Sequence, residues 1–551
     1  MKRVLSVLAA AALTVSTFSP TAAAHDVPDE FGADWDDPRT AVKPIETPDT
    51  ASCEVTVVDH AFADAEPYEA DYAPPTGCGD DWSAVVLRLE GAVSGLQHDR
   101  TGLLSLGGVP IFKTSTPQPS PEGVEWEAER DVTEYADLLR EPQSLRMSLD
   151  NTVDDVNDGV LDVRVYLTFY SADSEHPAPD SADGVLGLTG GDEAGAELNG
   201  ALQVPRNSER LLVDVYASSS GGGCEEFWYL TAPEDNGYPC RSDAGPYREV
   251  QVLVDGQVAG IAAPYPHVYT GGWSNPFLWY VLSAPRTFDV QPITYDLTPY
   301  LGLLNDGAEH EVTVRVEGAS ESSEWSLPTA FRVWQDEDSS VVEGGVLVSD
   351  TMDLTNDVTY SPGDEVDTTT LEAGRRHTAT GWLETSDGYS MITVDRSLSN
   401  ESTHRWDATD PDRAESLRAT WRDIETRTVL AGGDTAEMER AAHIYGLEGE
   451  VSRDGDRISS AVEVSDVGYA ESVTESGRIV QHTLRDEYSG EASWTSDVPR
   501  SQRAAVGESV HRYRWTAKGS DSGERSCYDR EIAAKNGFVV EDELRCEESP
   551  G

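Results

Sequence analysis

The chain reads as all-β: two antiparallel jelly-roll-type sandwiches packed side by side, plus a β-rich C-terminal domain. Three observations predict this. Short runs alternate apolar and polar residues, as in VLDVRVYLTFY. There Val163, Val165, Leu167 and Phe169 share one face, and Arg164, Tyr166 and Thr168 share the other. Turn signals such as Gly107-Gly108 and Asp255-Gly256 separate such runs. Sustained helical periodicity is absent from the first half.

The elements follow in order. Residues 1–24 carry Lys2 and Arg3, an apolar run from Val4 to Val15, and Ala22-Ala23-Ala24. That is the pattern of an export signal with a small-residue cleavage site, and the run is too short to span a bilayer. Secretion without a membrane anchor is the expectation. Residues 25–50 are acidic, proline-rich and extended. A first jelly-roll domain with a terminal linker is expected over 51–195. Its strands include CEVTVVDHAF and WSAVVLRLEGAV, and DVTEYADLL reads as a short helical turn. Residues 171–195 are small, acidic and turn-rich, and read as a linker or long loop. The second jelly-roll domain covers 196–340, with ERLLVDVYASS, REVQVLVDGQVAGIA and HEVTVRVEG as strands and FRVWQD closing it. Residues 341–551 form the C-terminal β-rich domain. At 551 residues the chain exceeds one ordinary core, which agrees with such a division.

Charge excludes some function classes. There are 101 acidic and 40 basic residues, for a net charge of -61. Such a surface repels nucleic acid and anionic membranes. Two accounts of it stand side by side: adaptation to a salt-rich habitat, where screening relieves self-repulsion, and simple solubility of an exported protein. The six cysteines suit an oxidising compartment. Fifteen pairings are possible. Local bridges Cys53–Cys78, Cys224–Cys240 and Cys527–Cys546 are favoured, because each pair lies within one predicted domain. The spacings lack C-x-x-C and a companion His pair, so no metal site is expected. His98, His267 and His310 are scattered and read as structural or surface residues. No P-loop, G-x-S-x-G or H-E-x-x-H occurs.

Three groups can carry chemistry. Asp99 and Arg100 are adjacent at the foot of a predicted strand. Within a strand they would point apart, but at its end both can reach a cleft. A carboxylate there can activate water and a guanidinium can polarise a carbonyl. The same pair also reads as a surface ion pair beside a turn. In GGGCEEFWYLTAP (221–233), Glu225 and Glu226 precede Phe227, Trp228 and Tyr229. Aromatic faces stack on sugar rings and the acids can transfer protons. An aromatic core cluster with solvated acids fits the same letters. In TGGWSNPFLWY (270–280), Trp273, Asn275 and Trp279 suit either a carbohydrate groove or packing, as does Trp126 between Glu125 and Glu127.

An ordered series of segments then resembles one family. It runs through KPIETPDTASCEV (43–55), YAPPTGCGDDWSAVVLRLEG (72–91), HDRTGLLSLGGVPIFKTSTPQPSPEGVEWEAERDVTEY (98–135) and LDNTVDDVNDGVLDVRVYLTFY (149–170). It continues through EEFWYL, YREVQVLVDGQVAGIAAPYPHVYTGGWSNPFLW (247–279), TYDLTPYLGLLNDG (294–307) and the late CYDREI (527–532). The series resembles the secreted peptide N-glycanases, the peptide N-acetyl-glucosaminyl asparagine amidase A family. The resemblance implies hydrolysis of the bond between an asparagine side chain and the first N-acetylglucosamine. The intact N-glycan leaves and Asn becomes Asp. N-glycopeptides or glycoproteins would be the substrates, mildly acidic pH is implied, and so is the absence of a metal or other cofactor. Tolerance of core fucose on the innermost sugar is a further hypothesis carried by it.

A distantly related flavobacterial N-glycanase has a tryptophan-aspartate-arginine motif and a cysteine-x-glutamate-tryptophan motif in its site. HDR here matches the first at Asp99 and Arg100, with His98 in place of the tryptophan. CEEF matches the second at Cys224 and Glu226, with Phe227 in place of the tryptophan. By this resemblance Asp99 activates or orients water, Glu226 contacts the inner sugar or shuttles the proton, and Arg100 holds the amide oxygen or locks Asp99. A further acid of that enzyme meets Thr168 here, and Glu225 is the substitute. Glu225, Trp126, Trp228, Tyr229, Trp273, Asn275 and Trp279 are the candidate substrate contacts. A non-catalytic glycan-binding or adhesion protein, and a glycosidase with paired carboxylates, are the alternatives.

Overall fold

A computed structural model describes residues 38–119, 123–233, 237–270, 281–320, 325–431, 434–474, 477–495, 504–518 and 524–548. The export signal and Trp273, Asn275 and Trp279 lie outside the described residues. The described chain is all-β. Eight strands make the first unit: β1 (Ser52–Phe62), β2 (Tyr68–Tyr72), β3 (Trp82–Val93), β4 (Thr101–Leu106), β5 (Val109–Ser115), β6 (Val124–Asp131), β7 (Gln143–Leu149) and β8 (Leu161–Ser171). They form two antiparallel four-stranded sheets, β1-β8-β3-β6 and β2-β7-β4-β5. Successive strands interleave between the sheets and the first lies beside the last, which is a jelly-roll path. Along β8 the predicted face (Val163, Val165, Leu167, Phe169) is buried while Asp162 and Arg164 are exposed. Each such side chain, fully buried, stabilises by roughly 1.5–3 kcal/mol. The helical reading of 131–139 also holds: a 3-10 turn at Thr133–Tyr135 runs into a short helix, Ala136–Leu139.

The second unit contains β9 (Gly184–Leu186), β10 (Thr189–Ala194), β11 (Glu197–Leu202), β12 (Ser208–Val215), β13 (Ser218–Ser219), β14 (Glu249–Val254), β15 (Gln257–Ala262), β16 (Ile293–Asp296), β17 (His310–Glu317), β18 (Trp325–Ser326) and β19 (Thr329–Gln335). Its sheets are β16-β12-β19-β9 and β10-β11-β17-β14-β15, with β13-β18 a small ribbon. Interleaving recurs, and β9 lies beside β19. The reading of 171–195 as linker is therefore corrected. Two segments of it, β9 and β10, pair with β19 and β11. Small residues and glycines hid them, because they offer little apolar alternation. Asp255 (φ 49°) and Gly256 (φ 77°) close the β14–β15 hairpin, and Gly107 (φ 56°) and Gly108 (φ 82°) close β4–β5. Both glycine-bearing turns suit the twist of a two-residue hairpin.

The units meet along β5, which is buried throughout. Thr114 Oγ1 donates to the Phe288 carbonyl and Ser115 Oγ to that of Thr287, both at 2.7 Å. Lys113 Nζ donates to the carbonyls of Tyr216 (3.0 Å) and Ser326 (3.3 Å). Burial pushes this lysine down to about 7, against the favourable charge of Glu193.

The rest is one meandering sheet. Its strands are β20 (Glu343–Thr351), β21 (Thr355–Ser361), β22 (Val366–Thr385), β23 (Gly388–Asp407), β24 (Ala414–Ala431), β25 (Asp434–Asp454), β26 (Arg457–Thr474), β27 (Ile479–Thr495), β28 (Ala504–Lys518), β29 (Glu524–Lys535) and β30 (Phe538–Glu548). From β22 to β30 each strand pairs with the next in sequence. Alternate residues are buried, as in β24, where Glu415, Leu417, Ala419, Trp421 and Asp423 face inward. That face is mixed rather than apolar, and it docks on the second unit through ion pairs as well as rings. Arg286 pairs with Asp466, Arg427 with Asp296 (2.7 Å) and Arg375 with Glu249 (3.1 Å). All three cysteine pairs are the local ones expected, with Cα–Cα separations of 5.9, 5.2 and 5.9 Å. No helix among the described residues is long and apolar enough to cross a membrane.

Candidate active site

Asp99 and Arg100 sit immediately before β4, outside its pleat, so both can face the same side. Two glutamines fix them. The Asp99 N–H donates to Gln118 Oε1 (3.3 Å), and Gln118 Nε2 donates to the Gln97 carbonyl (2.7 Å). Arg100 donates from a guanidinium nitrogen to Gln97 Oε1 (2.9 Å). Its N–H donates to Thr116 Oγ1 (3.0 Å), and its carbonyl accepts from the Thr116 N–H (2.8 Å). Arg100 Nε is buried and has no hydrogen-bond partner among the described residues. His98, standing where the related motif has tryptophan, is exposed.

Glu226 lies across the seam, on the loop that follows β13. Gly221 (φ 97°) and Gly222 (φ 72°) adopt backbone that a side chain disfavours. That conformation turns the Gly222 N–H onto Glu226 Oε2 at 2.6 Å, and the Gly221 N–H adds to the cradle. The Glu226 N–H donates to the Gly223 carbonyl (3.1 Å). Thr101 Oγ1 and Ser220 Oγ, which flank the two acids, meet at 3.4 Å and tie the two units there. Burial, and then the negative charge of Asp99, push the Glu226 carboxyl up to about 7. The charge of Asp99 thus reaches Glu226 across the seam between the units, and a like charge so placed favours the protonated form of Glu226.

Tyr269 completes the cluster. Its phenol is raised by burial, with the charges of Glu226 and Asp99 adding to it against a hydrogen bond with Ser218. Its ring stacks on His267 at 5.6 Å and 3°. Thr270 beside it accepts the Gln118 N–H (2.7 Å), joining this segment to the Asp99 support. His267 is buried and pushed down to about 3 by burial and by the charges of Arg286 and Lys113, so it is neutral. Gln97, Gln118, Tyr269 and the two glycines were not singled out from sequence. Only the loop letters GGG before CEE carried a signal for any of them.

Several predicted contacts are corrected. Glu225 is committed to partners within the second unit. Its two oxygens accept from Arg248 Nε (2.9 Å) and a second Arg248 nitrogen (2.7 Å), from Trp325 Nε1 (2.7 Å) and from the Ser320 N–H (3.0 Å). Burial alone would raise its carboxyl, but the Arg248 guanidinium holds it below the ordinary value. It is thus a buried structural carboxylate and no substitute for a third site acid. Trp228 packs edge-on against Trp421 of the long sheet (5.2 Å, 68°), and Tyr229 is 1% exposed. Trp126 lies over Gly91, where even a Cβ would come within 2.2 Å of its ring. None of these rings is open to stack on a sugar. Apolar area was the stronger demand at all three positions. Among the described residues no group of three or more His, Cys, Asp or Glu is placed to hold a metal ion.

A curated relative, the peptide-N4-(N-acetyl-beta-glucosaminyl)asparagine amidase A of Prunus dulcis, is 30% identical over 381 residues, covering 63% of this chain. The chain spans 65% of that relative's length. Among solved structures, PNGase F, a glycosylasparaginase from Flavobacterium meningosepticum, overlaps 52% of this chain and 96% of its own at 13% identity and a TM-score of 0.34. PNGF-II overlaps 52% of this chain and 65% of its own at 11% identity and a TM-score of 0.36. The family model for peptide N-acetyl-beta-D-glucosaminyl asparaginase amidase A matches residues 41–352, a span that includes both sandwiches, Asp99 and Glu226. That match covers more than half of the sequence, and the chain belongs to this family.

Proposed function

We propose that the protein is an exported amidase that cleaves the side-chain amide linking asparagine to N-acetylglucosamine in N-glycopeptides or glycoproteins. The observation that supports this reading is the raised Glu226 carboxyl under the charge of Asp99, two acids from different units, in a chain of this family. Amide hydrolysis needs an activated water, a polarised carbonyl and a protonated leaving nitrogen. In this reading Asp99 is the base. It takes a proton from water as the oxygen attacks the asparagine side-chain carbonyl. Arg100, held by Gln97, faces the developing charge on the carbonyl oxygen or fixes Asp99. Glu226, protonated below about 7, gives its proton to the departing nitrogen. The carbon–nitrogen bond breaks, leaving aspartate on the peptide and a glycosylamine, which loses ammonia in water.

A digest of a simple glycopeptide, read by mass spectrometry, tests this. Peptide bearing aspartate, with intact free glycan, is the expected outcome. Peptide retaining one N-acetylglucosamine would identify a glycosidase instead, and unchanged glycopeptide bound to the protein would identify a lectin-like role. The three disulfide-bonded cysteine pairs and the leader-like first 24 residues support an extracellular setting.

A further inference from the structure

We propose that the long C-terminal sheet is a positioning device for Glu226, acting through Trp421 and Glu415 on β24; this rests on the amidase reading above. Asp99 and Glu226 come from different units, so their spacing depends on how firmly the second-unit loop is held. That loop is short of regular structure, being a glycine run, a disulfide and one 3-10 turn, Trp228–Leu230. Within the second unit Arg248, Ser320 and Trp325 anchor it through Glu225, and its further supports come from the sheet. Two residues beyond Glu226, Trp228 meets Trp421 edge to face at 5.2 Å. Two residues before it, Cys224 is bonded to Cys240. Two residues before Cys240, Tyr238 donates its hydroxyl to Glu415, whose Oε1 also lies 2.9 Å from His404 Nε2. The Tyr238 ring is held between His404 (4.8 Å) and Trp406 (4.9 Å) on β23.

Both supports stand on one face of one strand. Positions 415, 417, 419, 421 and 423 all point inward, as the period of a strand requires. Asp423, two residues further on, accepts the Ala263 N–H at 3.0 Å, at the root of the segment that leads to Tyr269. One strand thus fixes three points around Glu226: the disulfide-linked arm, the turn behind the acid, and the approach to the tyrosine in front of it. Asp99 is held by Gln97, Gln118 and Thr116 around its own turn, and Thr270 joins that turn to the segment carrying Tyr269. A shift of β24 would therefore act first on Glu226, whose own loop it supports at two points. Among the described residues, the groups facing Glu226 are Asp99, Tyr229, Tyr269 and the Gly221 and Gly222 N–H groups.

The test compares Trp421→Ala, Trp421→Phe and Glu415→Gln with Tyr528→Ala in the full-length protein. Tyr528 is equally buried in the same sheet but packs on His511, away from the loop. Glycan release, its pH profile and thermal unfolding are measured on each. The proposal expects Trp421→Ala to lower kcat by up to about 10²-fold with a smaller change in KM, since small displacements of reacting groups cost that much. The alkaline limb of the profile should move to lower pH as Glu226 draws away from Asp99 and into water. Trp421→Phe should restore most of both, and Tyr528→Ala should lower the melting temperature but keep the limb in place. The proposal is overturned if folded Trp421→Ala keeps the wild-type kcat and limb, or if Tyr528→Ala reproduces both changes. If the wild-type protein releases no glycan, it is the amidase reading that fails. The positioning claim is then read from carboxyl NMR titration of Glu226, whose midpoint must fall in Trp421→Ala for the claim to stand.

Discussion

Glu225 and Glu226 are neighbours in one loop, and the surroundings assign them opposite states. Glu225 is given four hydrogen-bond donors, two from a guanidinium, and stays charged although buried. Glu226 is given two backbone N–H groups and a second negative charge, and it holds its proton to about 7. Burial is common to both, so burial does not decide. What decides is whether the desolvation cost is answered by cations or made worse by another anion. One pocket is built to keep the loop in place, the other to leave a carboxyl ready to exchange a proton.

This contrast can be attacked at several points, starting where the effect should be greatest. Asp99→Asn should lower glycan release on the order of 10²–10⁴-fold while the melting temperature stays nearly unchanged; full activity in that variant ends its role as the base. Glu226→Gln should abolish the alkaline limb near pH 7 along with most activity. It should also be less sensitive to alkali in folding. The native carboxyl is raised above its unfolded value, so the stability it contributes is complete below the unfolded value and is lost as pH rises through about 7. A pH series of thermal melts, in which the variant gains on wild type between those limits, checks the sign. Glu225→Gln should do the reverse, with little direct effect on chemistry but a loss of roughly 3–5 kcal/mol in denaturant unfolding, because Arg248 is left buried without its carboxylate. Gly222→Ala should cost about 1–3 kcal/mol by strain at positive φ, and should disturb Glu226 through its cradle. Least specific is salt. If the net charge of -61 is a habitat adaptation, activity and melting temperature should rise in molar salt, and a flat response favours plain solubility.

Much of this was legible beforehand, for reasons that differ by residue. Val163 to Phe169 alternate cleanly because one side of β8 meets a core and the other meets solvent. Asp255-Gly256 and Gly107-Gly108 announced their hairpins because few other residues tolerate that backbone. The linker reading of 171–195 failed because β9 and β10 are short and rich in small residues, and β9 takes its partner, β19, from far along the chain while β10 pairs with the adjacent β11. At the site, Asp99 and Glu226 came from the resemblance rather than from periodicity, and the family match at 41–352 supports that source. The aromatic contacts were misjudged for a physical reason. Trp126, Trp228 and Tyr229 look alike on paper whether they stack on a sugar or fill a core, and only three-dimensional neighbours separate the two. Trp421, which covers Trp228, stands nearly two hundred positions later, beyond the reach of any local pattern.

The placing of β1 against β8, and of β9 against β19, bears on how the molecule is made. Neither barrel-like unit can shut until its final strand has left the ribosome, since the opening strand waits for that one as its neighbour. The long sheet, in which each strand from β22 to β30 pairs with the next, has no such wait and can zip hairpin by hairpin as it emerges. Synthesis therefore delivers two slow closures first and a fast one last, and the fast one arrives on a surface already formed to receive it.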